Sequence, residues 1–243
     1  GFAFEQISSG GTFTCAATDH RRPFCWGSNT NHQVSPSARG SYDEPHRIDT
    51  GQVSEISAGF RHTGAVVEAT DIYCWGANSS GQIGNGTKSR LVKEPTLIDS
   101  PGVGLDNTEP ERVQALYDMT CAMDAAGVAY CWGDGGAWHV AGRVLSPKPV
   151  PAEPSPLDGQ TLTDLTDAGF SWCGMTSPTE PVCWSEGPFD EPWYGGARGV
   201  FRDVPTDGMT GGPPLSSLEA GTEVGCILDA AGLAYCWGDG GAW

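Results

Sequence analysis

The chain has 243 residues, with 13 Lys and Arg against 30 Asp and Glu, so its formal charge is −17. This charge repels phosphate backbones and anionic membrane surfaces, and it therefore excludes a nucleic-acid reader. With 35 glycines, 18 prolines and nine tryptophans, the composition predicts a turn-rich β protein with enough large apolar side chains to fill a core. There is no run of 18 apolar residues, so we expect no membrane span.

A Cys-Trp dipeptide recurs five times along the chain, at intervals of 49, 57, 52 and 53 residues. The copies are Cys25-Trp26, Cys74-Trp75, Cys131-Trp132, Cys183-Trp184 and Cys236-Trp237. Ten residues before these cysteines stand Cys15, Gly64, Cys121, Cys173 and Cys226. This periodicity predicts a single repeat domain spanning 1–243. Its repeats are approximately 1–48, 49–106, 107–158, 159–213 and 214–243, the last of them incomplete.

Each repeat is predicted to contain a β-hairpin with one cysteine position on each strand. In the third repeat, pairing Cys121 with Cys131 places Asp124–Gly127 at the hairpin tip, where Asp opens a type I turn and Gly takes the left-handed conformation. Because side chains alternate along a strand, the cysteines share one face of the sheet, and Tyr130 and Trp132 share the other. A small sheet that is apolar on both faces must pack between neighbours, which predicts a β-propeller or a β-solenoid. We expect the five tryptophans to be equivalent packing residues between repeats.

The second repeat resembles a repeat of the regulator-of-chromosome-condensation family. The resemblance lies in residues 56–63 (Ile-Ser-Ala-Gly-x-x-His-Thr), 73–78 (Tyr-Cys-Trp-Gly-x-Asn) and 81–87 (Gly-Gln-Ile-Gly-Asn-Gly-Thr). The first repeat keeps a weaker copy in Trp26–Asn29 and Gln33-Val34, and the other repeats keep the hairpin alone. The resemblance implies an all-β propeller of four-stranded blades, usually seven. Five hairpins would therefore either close an unusually small ring or be part of a larger ring or assembly, and we favour the second. The paired cysteines are similar to those of secreted bacterial members.

The cysteine pairs are interpreted as disulfides. Zinc ligands usually stand two to four residues apart, and no such pair occurs here, whereas a ten-residue separation across a hairpin brings two Cβ atoms opposite each other. The expected bonds are Cys15–Cys25, Cys121–Cys131, Cys173–Cys183 and Cys226–Cys236. Free buried thiols and a metal site are the alternatives. Four disulfides predict an oxidising compartment: extracellular, cell-surface or periplasmic. Cys74 is the ninth thiol, and we expect it to be free and buried beside Gly64, with an intermolecular disulfide or a reactive thiol as the alternative.

The sequence contains no catalytic signature, and we expect the protein not to be an enzyme. His62 falls at a position that holds other residue types in the other repeats, which favours packing over catalysis. We expect no metal or other cofactor. Calcium is the one alternative, because Asp134–Gly136 and Asp239–Gly241 resemble calcium turns although no complete Asp-x-Asp-x-Asp-Gly loop is present. Asn78 and Asn85 head glycan-acceptor triplets, so a glycan is a further possible partner.

The connector Glu186–Pro214 breaks the repeat pattern and concentrates aromatic and basic residues among glycines and prolines. Loops of this length inside a compact repeat fold are usually functional or disordered, and aromatic and Arg side chains are preferred interface anchors. The candidate partner-binding residues are therefore Trp193, Tyr194, Arg198 and Phe201. The alternative is that these aromatic side chains pack the outer strand and the next inner strand.

These patterns together predict an extracellular, disulfide-linked propeller that serves as a protein-interaction module. A first alternative is a structural subunit of a self-assembling surface layer or filament, in which incomplete repeats pair between copies. A second is a carbohydrate-active or carbohydrate-binding propeller. The expected partner is another protein or further copies of the chain itself, without nucleic acid and without a membrane span.

Overall fold

The computed structural model describes residues 3–37, 39–100, 105, 109–134, 143–150, 161–167, 171–177, 180–185, 202–203, 215–220, 224–229 and 233–238. Two compact units are present: the first contains residues 1–135 and 140–150, and the second contains 136–139 and 151–243. In the described residues there is no α-helix, and the strands form five antiparallel sheets. We refer to these sheets as blades 1 to 5 in chain order. The predicted all-β repeat fold is confirmed.

Blades 1 to 3 make up the first unit, and each has four strands in sequential order. Blade 1 contains β1 (Phe4–Ser9), β2 (Phe13–Thr18), β3 (Pro23–Ser28) and β4 (Ser41–Arg47). Blade 2 contains β5 (Val53–Ala58), β6 (His62–Val67), β7 (Asp71–Ala77) and β8 (Leu91–Leu97). Blade 3 contains β9 (Pro110–Ala115), β10 (Met119–Asp124), β11 (Ala129–Asp134) and β12 (Arg143–Pro149).

Blades 4 and 5 make up the second unit. Blade 4 contains β13 (Asp164–Asp167), β14 (Ser171–Ser177), β15 (Glu180–Ser185) and β16 (Arg202–Asp203). Blade 5 contains β17 (Leu215–Ala220), β18 (Val224–Asp229) and β19 (Ala234–Gly238). Leu165, Cys173 and Met175 are buried in blade 4, so this sheet repeats the apolar positions of the earlier blades.

The central hairpin of every blade pairs its two cysteine positions directly opposite each other, as the spacing predicts. The disulfides Cys15–Cys25, Cys121–Cys131 and Cys226–Cys236 each join Cα atoms 4.1 Å apart. Cys173 is also disulfide-bonded, and the strand register places it opposite Cys183. The hairpin tip of blade 3 has the predicted form, because the Gly127 N–H donates to the Asp124 carbonyl and Gly127 has a positive φ of 76°.

Blade 2 lacks the disulfide, and Cys74 is a free, buried thiol opposite Gly64. Burial raises the pKa of the Cys74 thiol far above its usual value, so the reactive thiolate is suppressed. A Cβ atom added at Gly64 would lie 3.7 Å from Cys74 Sγ and 2.9 Å from Val113 Cγ2. The end of the Val113 side chain therefore occupies part of the space that a second cysteine would need.

The hydrophobic cores of the first unit lie between blades. One core joins Cys15 and Val34 of blade 1 to Ile56 and Trp75 of blade 2, and an equivalent core joins blades 2 and 3. In blades 1 and 2, the face that carries the two cysteine positions packs on the next blade, and we call it the trailing flank. In blades 2 and 3, the opposite face carries the aliphatic residue of the first strand and the Cys-Trp tryptophan and packs on the preceding blade, and we call it the leading flank. This is the two-faced packing that strand alternation predicts.

The outer strands β4, β8 and β12 each contain a proline, at Pro45, Pro95 and Pro147. In each of the three blades the register between the third and fourth strands shifts opposite the Cys-Trp tryptophan, which marks a bulge. Proline cannot donate to a ladder and a bulge twists the edge, so both features oppose pairing with another strand. Association of blades 1 to 3 through their outer edges is therefore disfavoured.

A cysteine introduced at Gly64 should form a fifth hairpin disulfide with Cys74. The strand register already places the two positions opposite each other, and the Cγ2 methyl group of Val113 must move aside. The thiol titre of the denatured, unreduced protein is expected to fall from one per chain to zero. Gly64→Ser adds the same Cβ without a second thiol, and it should leave the titre at one. An undiminished titre in oxidised Gly64→Cys would contradict the hairpin register.

Candidate functional site

The first strands of neighbouring blades in the first unit are joined by side chains rather than by a ladder. The Ile56 N–H donates to the Gln6 side-chain Oε1 (3.0 Å), and the Ala58 N–H donates to Ser8 Oγ (2.9 Å). Residues on either side of the aliphatic position of β1 thus accept from the backbone of β5. The free edge of β5 is in this way satisfied by the preceding blade.

The same arrangement recurs one blade further along. The Val113 N–H donates to Glu55 Oε2 (2.7 Å), and the Ala115 N–H donates to Ser57 Oγ (2.9 Å). Glu55 is buried, and its other carboxylate oxygen lies 3.8 Å from the Arg112 guanidinium. The hydrogen bond from the Val113 N–H and the contact with Arg112 offset the free-energy cost of removing the Glu55 carboxylate from water.

A second contact between blades explains the Gly-Gln-aliphatic motif. The main-chain carbonyl of Gln82 accepts hydrogen bonds from Trp132 Nε1 (2.9 Å) and Thr120 Oγ1 (2.8 Å) of the next blade. The Gln33 carbonyl accepts the equivalent bonds from Trp75 Nε1 and Thr63 Oγ1. We call this arrangement, in which one Trp and one Thr bind a Gln carbonyl, the Gln clamp.

The loop that carries the clamped glutamine is positioned by an asparagine. Asn78 Oδ1 accepts from the Ile83 N–H, and Asn29 Oδ1 accepts from the Val34 and Ser35 N–H groups. Ile83 and Val34 are thereby inserted into the cores between blades. Asn78 is itself fully buried, so this predicted glycan acceptor is not accessible in the folded chain.

Gly84 is required beside the clamp. It has a φ of +74°, and an added Cβ would lie 2.5 Å from Trp132 Nε1. Any other side chain at Gly84 would displace the indole or strain the backbone. The glycine of the motif therefore allows the next blade to approach closely.

His62 is buried between blades 2 and 3, which agrees with the predicted packing role. Its Nε2 lies 2.8 Å from Thr120 Oγ1. Because the Thr120 hydroxyl donates to the Gln82 carbonyl, His62 must donate to Thr120 and is neutral with its proton on Nε2. Burial lowers the pKa of His62 to about 3, with the Met119 backbone acting in the opposite direction.

The turns between the first and second strands of blades 1 to 3 stack on one another through their backbones. The Gly11 N–H donates to the Gly59 carbonyl (3.2 Å), and the Phe60 N–H donates to the Leu116 carbonyl (2.9 Å). A Cβ at Gly59 would lie 2.6 Å from the Leu116 oxygen, so glycine is needed for this close approach. The stacked turns form a continuous surface across three blades.

This surface carries a cluster of aromatic rings and one cation, which we call the aromatic platform: Phe60, Arg61 and Tyr117. The Phe60 and Tyr117 rings are stacked with centroids 4.3 Å apart and planes at 19°. The Arg61 guanidinium carbon lies 4.8 Å from the Phe60 centroid, within the range of a cation–π contact. Tyr117 is 39% exposed and Arg61 is exposed, so the platform faces solvent.

Asp118 directly follows Tyr117 of the platform in the sequence. Its Oδ1 accepts from Gln82 Nε2 (3.0 Å), which ties the clamp loop to the turn of blade 3. Burial and the nearby Asp134 carboxylate raise the pKa of Asp118, while Arg61, Arg143 and the Gln82 hydrogen bond oppose that rise. This carboxyl group therefore serves as a structural acceptor.

Several predicted site residues lie outside the described residues: Trp193, Tyr194, Arg198 and Phe201, together with Asp239–Gly241. Among the described residues, no group of three or more His, Cys, Asp or Glu side chains is arranged to hold a metal ion. That same part of the chain contains no helix of the length and apolarity needed to cross a membrane. The expected equivalence of the five tryptophans does not extend to Trp26, which is only partly buried, whereas Trp75 and Trp132 are buried.

The aromatic platform was missed at the level of sequence. Phe60 and Tyr117 occupy the same turn position in two repeats, but the equivalent residue of blade 1 is Gly11. A recurrent aromatic residue at a turn that also carries glycine was the available signal.

Two segments match the regulator of chromosome condensation (RCC1) repeat: residues 4–33 and residues 71–122. They fall in blades 1, 2 and 3. No curated protein sequence matches the chain.

Solved structures of low sequence identity share the fold. Human WBSCR16 matches with a TM-score of 0.82 and 18% identity over 98% of this chain and 62% of that one. Prp20p from Saccharomyces cerevisiae matches with a TM-score of 0.75 and 16% identity over 97% of this chain and 57% of that one. The ectodomain of the Physcomitrella patens receptor kinase CR4 matches with a TM-score of 0.56 and 20% identity over 98% of this chain and 51% of that one. The chain thus spans little more than half the length of these structures.

Replacing a clamped tryptophan should destabilise the first unit strongly. Trp75→Ala and Trp132→Ala each remove a buried ring and a donor to a buried carbonyl, so each should cost about 3–5 kcal/mol of unfolding free energy. Trp26→Ala is the matched control and should cost less, because its indole is only partly buried. Denaturant unfolding of the three variants provides the measurement, and equal losses at all three positions would contradict the clamp.

His62 should make the first unit less stable in acid. Its folded-state pKa of about 3 lies below the ordinary value of 6.5, so its contribution is complete above pH 6.5 and is lost as the pH falls toward 3. The expected slope for this one group approaches about 1.4 kcal/mol per pH unit. His62→Met introduces the residue type of the equivalent Met119 and should remove this slope from the pH dependence of the unfolding free energy.

The control for this measurement is His20→Met, at an exposed position. Wild type and the His20 variant should run parallel between pH 7 and pH 4. If His62→Met runs parallel to them as well, burial does not hold His62 neutral.

Proposed function

The chain carries RCC1-type repeats in propeller blades, and on this basis we propose that it is a non-catalytic protein-interaction module that works outside the cytoplasm. The aromatic platform of Phe60, Arg61 and Tyr117 is the observation that carries the proposal. Solvent-exposed stacked aromatic rings with an adjacent Arg have the composition of a binding hot spot.

The platform is preorganised, which favours binding. Its two aromatic residues lie on turns that are joined by backbone hydrogen bonds and by close glycine contacts. Because the stacked rings hold each other in place, a partner would not have to order them on binding. The Arg61 guanidinium adds a positive charge to a chain of net charge −17 and would favour a carboxylate on the partner.

The disulfides support a location in an oxidising compartment. They occur in blades 1, 3 and 5, and Cys173 of blade 4 is also disulfide-bonded. Disulfides of this density persist in secreted proteins and at cell surfaces and are rare where glutathione keeps thiols reduced. Prp20p, which shares the fold, is described as binding Gsp1p and histones. Blades of this type can therefore present protein-binding surfaces.

The proposal is tested at the platform with matched controls elsewhere. A photo-crosslinking amino acid at Tyr117 should capture a specific extracellular protein, which is then identified, purified and used for affinity measurements. Tyr117→Ala and Arg61→Ala should each weaken its binding by about tenfold or more, as expected for hot-spot residues.

Tyr42→Ala and Arg47→Ala are the controls. Tyr42 also stacks on a ring, that of His46 at 4.7 Å, and both residues lie on outer strand β4. They should leave the affinity unchanged. Equal losses from the β4 and platform variants, or none from either, would reject the platform as the binding site.

A further inference from the structure

The side-chain amides of the two clamped glutamines differ in one hydrogen bond. Gln33 and Gln82 are held in the same way, because the Oε1 of each accepts from the backbone N–H two residues earlier, that of Asn31 or Ser80 (both 2.8 Å). Gln82 Nε2 then donates to Asp118 Oδ1 of blade 3. Gln33 is also fully buried, but its Nε2 has no hydrogen-bond partner among the described residues. A buried donor of this kind is stabilised by any acceptor that reaches it.

The difference follows from one residue in the turn of the next blade. Asp118 of blade 3 corresponds to Arg61 of blade 2, since each directly precedes the second strand of its blade and its carbonyl accepts from the N–H of Asp134 or Ala77. Arginine carries only donors and cannot accept from Gln33. Two donor groups therefore occupy positions between blades 1 and 2 at which blades 2 and 3 place a donor and a carboxylate.

A carboxylate from solvent can take the position that Asp118 has in blade 3. Asp118 is only partly buried, yet its Oδ1 reaches the Nε2 of the buried Gln82. At the equivalent position Arg61 is exposed, and among the described residues it forms no salt bridge. Its side chain is long and flexible, so it can turn toward an acidic group that enters beside Phe60.

The distribution of charge over the first unit favours an acidic group at this end of the blades. Because the strands of each blade are sequential and antiparallel, the first and third turns lie at the platform end, and the second turn and the link between blades lie at the opposite end. The charged residues of the described turns and loops are Arg39, Arg61, Lys88, Arg90 and Asp118 at the platform end, and Asp19, Arg21, Arg22, Asp49, Glu68, Asp99 and Glu109 at the opposite end. The platform end is thus basic in a chain of net charge −17.

We propose that the Gln33 amide and the Arg61 guanidinium form a carboxylate subsite beside the aromatic platform, and that the protein partner presents an Asp or Glu side chain next to an apolar one. The inference rests on the proposed function, because the platform supplies the apolar contact. Charge-assisted hydrogen bonds from a guanidinium and an amide are well suited to a carboxylate. The net charge of the chain disfavours an extended polyanion, so the acidic group belongs to a short segment of a protein.

The test follows the side-chain amide signals of Gln33 by NMR in the ¹⁵N-labelled full chain. The probe is an acetylated peptide of alternating Asp and Phe residues, and the control peptide has Asn in place of each Asp. The Asp peptide should shift the Gln33 signals and bind at least about tenfold more tightly than the Asn peptide. The Gln82 amide is already bonded to Asp118, so its signals should move less and serve as the internal reference.

Arg61→Asn supplies an acceptor at the position of Asp118 without adding a negative charge. It should engage Gln33 Nε2 and abolish the preference for the Asp peptide. Lys88→Asn is the matched control, since it removes another exposed cation from the same end of the blades and should keep that preference. Unmoved Gln33 signals, equal affinities for the two peptides in wild type, or equal losses of preference in the Arg61 and Lys88 variants would overturn the proposal.

Tyr117→Ala separates this subsite from the proposed function. If the platform binds the apolar side chains, this variant should weaken both peptides by the same factor and keep the preference for Asp. Unchanged affinities in Tyr117→Ala, together with a retained Asp preference, would reject the platform and leave the carboxylate subsite in place. Loss of the Asp preference in wild type with an intact effect of Tyr117→Ala would have the reverse meaning.

Discussion

The first strand of a blade has only one partner strand, and this constraint shapes the rest of the first unit. Its other edge carries backbone N–H groups, each of which would cost about 1–3 kcal/mol if it were buried without an acceptor. Gln6 and Ser8 supply acceptors to blade 2, and Glu55 and Ser57 supply them to blade 3. Blades 2 and 3 therefore depend on the preceding blade for hydrogen-bond acceptors. Contacts between neighbouring repeats stabilise the unit, as in other repeat proteins.

Disulfides and blade contacts stabilise different parts of this architecture. A disulfide such as Cys15–Cys25 closes a short hairpin within one blade, whereas the Gln clamp joins two blades. Blade 2 has no disulfide, but Val113 from blade 3 packs into the space beside Gly64. At the position of the missing covalent bond, blade 2 is thus in contact with the next blade.

The same close approach creates the candidate binding surface. Turns that pack backbone against backbone have no room between them for the side chains at their tips, so Phe60 and Tyr117 are directed outward and stack on each other. The packing of the turns, which is needed for folding, thus exposes aromatic rings to solvent. The exposed aromatic character of this candidate surface follows from the close spacing of the blades.

The hairpins, the opposed cysteine positions and the alternation of the two sheet faces could be predicted from the sequence, because they depend on a ten-residue spacing and a two-residue period within one repeat. It also pointed to the RCC1 resemblance through the Gly-Gln-aliphatic motif. The composition of the connector 186–214 made it a candidate binding segment, since composition can be read without a fold.

Which tryptophans are buried and where the aromatic platform lies could not be predicted from the sequence, because both depend on packing between blades. Trp26 and Trp75 are equivalent in sequence, but their exposure depends on whether another blade covers the flank. Phe60 and Tyr117 are brought together only when two turns from different repeats stack, and contacts of that range are set by packing between blades.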